Sequence, residues 1–286
     1  MHRHRAVGWL TGVWLVACSD APPPAVVAVD AGAGDAAADG AAFEAGAPAR
    51  DGGADAQGDA AAPLPTGTIV PLYTDPTDPS WSRLAAAAKA HPGVHVIAVV
   101  NPNNGPLPSV DPGYAKGIAA LTAAGIRVAG YVATGYGARA ESATNGDVDL
   151  YRAQYPQLAG IFFDEAAIYE PGHEARYSAE ASHARSAGFQ LLVANPGTAP
   201  IAAYAGLFDV SLVYESAGVP ASSALSPFAA SRTHAGIIPY GVPSLDAAYV
   251  AKIRPDVQYV FITDDGLPNP WDTLPPYFES LMTALE

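Results

Sequence analysis

Cysteine is almost missing: Cys18 is the single one in 286 residues, so no disulfide and no thiolate metal site is expected. Basic residues are scarce too, 14 Lys and Arg against 28 Asp and Glu. Eight of those acids lie before Gly67, which leaves 20 against 11 Lys and Arg in the remainder. This argues against nucleic acid as a partner, because phosphates demand clustered Lys and Arg. A neutral or cationic ligand suits the balance, although most acidic surfaces serve only solubility. Also lacking is an apolar run that could span a bilayer. The stretch from Ala6 to Ala17 has 12 residues where about 20 are needed. No GxSxG elbow exists, which disfavours a Ser-His-Asp hydrolase. No strand-like run is followed by GxGxxG; Gly135-Tyr136-Gly137 comes nearest, lacks the third glycine and reads as a tight loop. The histidines favour no metal. His91 and His95 flank a turn, His173 and His183 belong to a helical region, and all four read as structural or surface residues. No cofactor is expected.

What is present divides the chain into three parts. Arg3 and Arg5 precede the short apolar run, the pattern of an export signal over residues 1–17. The run ends Leu15-Val16-Ala17-Cys18, which looks like the lipobox of bacterial lipoproteins. Cys18 is therefore the expected lipidation site, and the expected location is a bacterial membrane, the outer membrane or cell surface before the inner membrane. Residues 18–66 are nearly all Ala, Asp, Gly and Pro with Phe43 as the only aromatic, too little apolar surface to offset the entropy of ordering, so they read as a disordered tether. Residues 67–286 are rich in Val, Ile, Tyr and Phe and have the size of one α/β barrel.

Eight short apolar or β-branched runs recur there: Thr68 to Thr74, His95 to Asn101, Arg127 to Thr134, Ala159 to Glu165, Gln190 to Asn195, Val210 to Glu215, Thr233 to Tyr240 and Val257 to Asp265. Most are continuous rather than alternating, as parallel strands covered on both faces should be. Ala-rich helical stretches lie between them, including Trp81 to Ala90, Tyr114 to Ala124, Glu174 to Ala187 and Leu245 to Ile253. Run starts are 27, 32, 32, 31, 20, 23 and 24 residues apart, the rhythm of βα units. The expected fold class is α/β, a (β/α)8 TIM-type barrel. Periodicity alone leaves a doubly wound open sheet as the alternative.

Barrel active sites form where strands end, and the ends are polar. Asn101 and Asn103 follow the second run, Tyr131 lies in the third, Asp164 and Glu165 close the fourth, Asn195 the fifth, Tyr214 and Glu215 the sixth, and Asp264 the eighth, while Tyr73 closes the first. Such a rim matches glycoside cleavage: two carboxyl groups flank the scissile bond, while amides and aromatics hold the sugar. Asp164, Glu165 and Glu215 are the catalytic candidates. Tyr73, Asn101, Asn103, Tyr131, Asn195, Tyr214 and Asp264 are candidates for substrate contact. Asn101 and Asn195 equally suit loop formation beside their prolines, and Asp264 equally suits a turn. Of the remaining aromatics near the rim, Tyr136, Tyr240 and Trp271 could stack on sugars or pack the mouth.

Six segments resemble the spherulin-4-like, or spherulation-specific, proteins: Ile69-Val70-Pro71-Leu72-Tyr73, Val99-Val100-Asn101-Pro102-Asn103-Asn104-Gly105-Pro106, Gly130-Tyr131-Val132, Gly160-Ile161-Phe162-Phe163-Asp164-Glu165, Asn195-Pro196-Gly197 and Val213-Tyr214-Glu215. They stand in family order across most of 67–286. The family is similar to fungal endo-α-1,4-N-acetylgalactosaminidases, retaining barrel enzymes that cut galactosaminogalactan. The resemblance implies Asp164 as nucleophile, Glu215 as general acid/base and Glu165 as an essential neighbour. It implies a polysaccharide substrate. A noncatalytic spore-coat or matrix-binding role is the rival from another class.

Overall fold

The computed structural model describes residues 66–286; the expected signal, Cys18 and all of the tether but Thr66 lie outside the described residues. Eight parallel strands, β1 (Thr66–Leu72), β2 (Val94–Val100), β3 (Arg127–Ala133), β4 (Gly160–Asp164), β5 (Leu191–Ala194), β6 (Val210–Tyr214), β7 (Ala235–Ile237) and β8 (Tyr259–Val260), follow one another around a closed ring. The open-sheet alternative is thereby settled against. At the closing seam Gly67 pairs with Tyr259 and donates its N–H to the Gln258 carbonyl at 2.9 Å. A Cβ on Gly67 would stand 2.5 Å from the His95 carbonyl and 2.8 Å from the Tyr259 ring, so only glycine lets these backbones meet.

The strands read as continuous apolar runs because both faces are covered, one by the barrel interior and one by helices. Every residue of β1 and β5 is buried. The helices are α1 (Pro79–Ala90), α2 (Pro112–Ala123), α3 (Glu141–Gln154), α4 (Glu174–Ser186), a single turn α5 (Ser222–Leu225), α6 (Ala247–Ile253) and α7 (Phe278–Leu285). Three begin on an aspartate that accepts from the first free amides: Asp78 from Ser80, Asp111 from Gly113 and Tyr114, and Asp246 from Ala248 and Tyr249. Each such cap stabilises its helix by about 1 kcal/mol.

Local departures from the expected elements have physical causes. The 20-residue interval between the fifth and sixth runs is too short for a long helix, and a single 3-10 turn, Ala202–Tyr204, fills it. The seventh and eighth strands are shorter than their apolar runs. Pro239 has no N–H to continue the ladder, and pairing beyond Ile237 proceeds through scattered bonds such as Thr263 N–H to the Pro239 carbonyl. α3 carries few apolar residues and is held by burial of Thr144, Val148 and Tyr151. Among the described residues no helix is long and apolar enough to cross a membrane.

Candidate active site

Parallel pairing brings the strand ends out on one rim, and main-chain bonds set their stagger. Asp164 lies opposite Ala133 in the ladder, and the Thr134 N–H donates to its carbonyl at 2.9 Å. The Asn195 N–H donates to the Phe163 carbonyl at 2.8 Å, and the Glu215 N–H to the Gly197 carbonyl at 3.0 Å. Three neighbouring strands thus deliver Asp164, Asn195 and Glu215 side by side.

Their side chains meet through one amide. Asn195 Nδ2 donates to Asp164 Oδ1 at 2.8 Å and to Glu215 Oε2 at 2.5 Å. Its Oδ1 accepts from the Gly197 N–H at 3.0 Å, which fixes the orientation of the amide: turned over, it would set an oxygen against two acids. Asn195 is buried, with 6% of its surface exposed. One end of its amide shapes its own loop and the other holds the two acids.

The two acids differ in their other partners. The Tyr131 hydroxyl and the Glu165 N–H also favour the charged form of Asp164. Burial raises its pKa above the usual aspartate range, and these donors oppose the rise. Glu215 is lifted to about 7, by burial first and then by repulsion from Asp164, with only Asn195 opposing. Both carboxyls touch solvent through the mouth of the barrel while protein surrounds them elsewhere. A proton shared by the pair therefore resides on Glu215, the acid with fewer donors, and Asp164 is the anion.

Glu165 completes the group in an unusual conformation. Its φ is 53°, the left-handed region that costs a residue with a Cβ about 1 kcal/mol or more. The strain is held by two bonds to its carbonyl, from the Tyr136 N–H at 2.8 Å and the Thr134 hydroxyl at 2.6 Å. Since Thr134 has one hydroxyl proton and gives it to Glu165, Tyr177 must donate to Thr134, at 3.0 Å, while accepting from the Ala167 N–H at 2.8 Å. Burial, then Asp164, raises the Glu165 carboxyl above its ordinary range, and the Gly135 N–H opposes the rise.

A profile of the spherulation-specific family 4 matches residues 67–285, the whole barrel. The chain belongs to that family. Spherulin-4 of Physarum polycephalum is 40% identical over 156 residues, 54% of this chain and 46% of the relative, so the chain matches about half the length of that protein. Among solved structures, Aspergillus clavatus Sph3 in complex with GalNAc superposes with a TM-score of 0.68 at 22% identity, covering 78% of this chain and 98% of Sph3. That likeness shows a shared fold.

In this spherulation-family barrel the other candidate residues fall into separate groups. Tyr131 is buried, stacks at 6.2 Å on Phe162 and meets the Tyr73 ring edge-on at 5.6 Å, so the two tyrosines line the floor beneath Asp164. Burial, then Asp164, raises the pKa of both, which keeps them as donors. Asn101 uses Oδ1 to accept the Gly105 N–H at 3.0 Å and so shapes its own loop. Asn103 is exposed on that loop. Tyr214 donates to the Gly218 carbonyl at 2.9 Å and braces the β6 loop. Asp264 keeps Oδ1 buried with no hydrogen-bond partner among the described residues, and neighbouring Asp265 accepts from Thr273. Trp271 is buried against Tyr240 and Phe261, which favours packing of the mouth. His91 and His183 make their contacts away from the strand ends, with Glu286 and Asp149, both at 2.8 Å, whereas His173 packs among the rim loops beside Gly137 and Glu170. Thr134 and Tyr177 carry no sequence signal for this role, since a threonine at a strand end and a helical tyrosine belong to no motif.

Proposed function

We propose that this chain is an endo-acting, retaining glycoside hydrolase of an amino-sugar polysaccharide, of the galactosaminogalactan type, with Asp164 as nucleophile and Glu215 as general acid/base. The observation that carries the reading is the Asn195 amide held between the two carboxyls. Its bonds of 2.8 and 2.5 Å, laid end to end, keep the facing oxygens closer than the roughly 6.5 to 9.5 Å that an inverting pair needs to admit water. Membership of the spherulation-specific family and the shared fold with Sph3, whose structure holds GalNAc, support the substrate class.

The chemistry follows from the unequal donors. Protonated Glu215 gives its proton to the glycosidic oxygen as the bond to the anomeric carbon breaks, and the Asp164 carboxylate attacks that carbon to form a glycosyl ester. Once Glu215 is ionised it takes a proton from water, whose oxygen attacks the same carbon and expels Asp164. Asn195 remains bonded to both through the exchange of charge. Glu165 lies beside them as the third acid, its backbone N–H favouring the charged form of the nucleophile.

Incubating the protein with galactosaminogalactan and N-acetylgalactosamine oligomers, with mass spectrometry for fragments and NMR for the first anomer released, tests the proposal. Fragments with retained configuration support it; no cleavage there or across a wider glycan panel defeats the enzyme reading. The export signal and lipobox support anchoring through Cys18 to a bacterial membrane, which would hold the barrel at the surface beside its polymer.

A further inference from the structure

Among the described residues only two aromatic side chains are exposed, Tyr136 at 54% and Tyr169 at 36%, and both stand on the catalytic rim, in the loops after β3 and β4. Tyr136 is held there against its backbone preference. Its φ is 52°, between Gly135 at 60° and Gly137 at 77°, a region that a bulky aromatic rarely enters. The loop is pinned on both sides of it. The Tyr136 N–H donates to the Glu165 carbonyl at 2.8 Å, and Arg176 donates to the Gly137 carbonyl at 2.8 Å. Behind Gly137 a Cβ would lie 2.6 Å from the His173 ring, so the turn has no room to relax. A fold that rigidly projects a strained tyrosine into solvent gains nothing for its core.

The neighbours of that ring identify what it faces. Partial burial, then Glu165, Asp164 and Glu215, lift the Tyr136 hydroxyl to about 12, with Tyr169 adding to the effect. That hydroxyl therefore lies within the field of all three carboxylates, and Tyr169 stands exposed on the next loop of the rim. The geometry points to Tyr136 and Tyr169 as a sugar-binding platform beside the catalytic pair, covering the apolar faces of pyranose rings in a polysaccharide chain. The platform rests on the glycosidase reading and gives it an endo-acting groove: rings held beside the cleaved bond make a polymer a better ligand than a monosaccharide. Tyr131 is instead a buried floor residue, with one face stacked on Phe162 and an edge-on contact with Tyr73.

The test separates binding from turnover. Asp164→Asn serves as a parent that binds without cutting, and its retardation in gels containing galactosaminogalactan is compared with the same protein carrying Tyr136→Gly, Tyr136→Phe or Tyr169→Ala. We expect Tyr136→Gly to bind at least tenfold more weakly and Tyr169→Ala severalfold more weakly, with Tyr136→Phe close to the parent because it keeps the ring. The melting temperature of Tyr136→Gly should not fall, since glycine is at ease at this φ; a structural tyrosine would behave in the opposite way. Unchanged retardation of Tyr136→Gly, or no retardation of the parent, overturns the platform. Hydrolysis by the wild-type protein is scored separately. Cleavage with unaltered retardation would sink the platform alone, and retardation without cleavage would sink the catalytic reading alone.

Discussion

Replacing Glu215 with glutamine should make the protein more stable at neutral and alkaline pH while removing its activity. In the folded chain this carboxyl ionises near 7, against an ordinary value of 4.5, because burial and then Asp164 disfavour its charge. The unfolded chain releases the proton near 4.5, so between the two values the folded state binds more protons and folding weakens as pH rises. The Glu215 contribution is thus fully retained below pH 4.5 and lost by the time pH passes 7. At about 1.36 kcal/mol per pH unit the gap corresponds to roughly 3 kcal/mol, and contact with solvent at the barrel mouth lowers it to about 1 to 2 kcal/mol. Glutamine keeps the shape and an oxygen for Asn195 but carries no charge. For a domain of about 220 residues each kcal/mol moves the melting temperature by about 2 to 4 °C, so Glu215→Gln should melt about 2 to 8 °C above wild type at pH 8 and within about 1 °C of it at pH 4. Differential scanning calorimetry of both proteins at the two pH values is the assay. A variant that melts lower at pH 8, or with the same difference at both, would refute the view that this carboxyl is held against its charge.

Activity on the polymer should fall as pH rises through about 7, where Glu215 loses the proton it must donate, and should also fall on the acid side as Asp164, raised above the usual aspartate range by burial, becomes protonated; a pH–rate profile with no alkaline limb near 7 would contradict this. On an activated glycosyl fluoride, whose leaving group needs little protonation, Glu215→Gln should retain much of its glycosylation rate while Asp164→Asn loses about 100-fold or more; rescue of Asp164→Asn instead would exchange the two roles. Asn195→Ala should lower kcat about 10- to 100-fold and shift the alkaline limb upward, because the lost hydrogen bond opposes the rise of Glu215; an unmoved limb would mean that the amide does not tune the pair. Cys18→Ser should move the protein from the membrane fraction to the soluble exported fraction, and continued sedimentation with membranes would end the lipobox reading.

Eight βα repeats, their order and the acids at the ends of the fourth and sixth runs were legible in the sequence, because strand burial and chain rhythm are written in consecutive residues. The family match over 67–285 agrees with the segments that carried the resemblance. What consecutive residues could not show is how far one strand is staggered against the next. Asn195 reaches Asp164, 31 positions away, and Glu215, 20 positions away, only because the β4–β5 ladder sets it beside Asp164 and the bond from the Glu215 N–H to the Gly197 carbonyl draws the end of β6 alongside. That stagger turned an asparagine that could have been merely a loop former into the bridge between two acids. It likewise turned Asn101 inward on its own loop, placed Tyr131 on the floor and left Tyr136 in the open. The left-handed backbone of Glu165 was beyond any local rule, since glutamate has no preference for it, and it persists through bonds from Thr134 and Tyr136 on a neighbouring loop. Residue types at strand ends are a property of the chain; which of them share a proton depends on the desolvation and distances that only barrel closure creates.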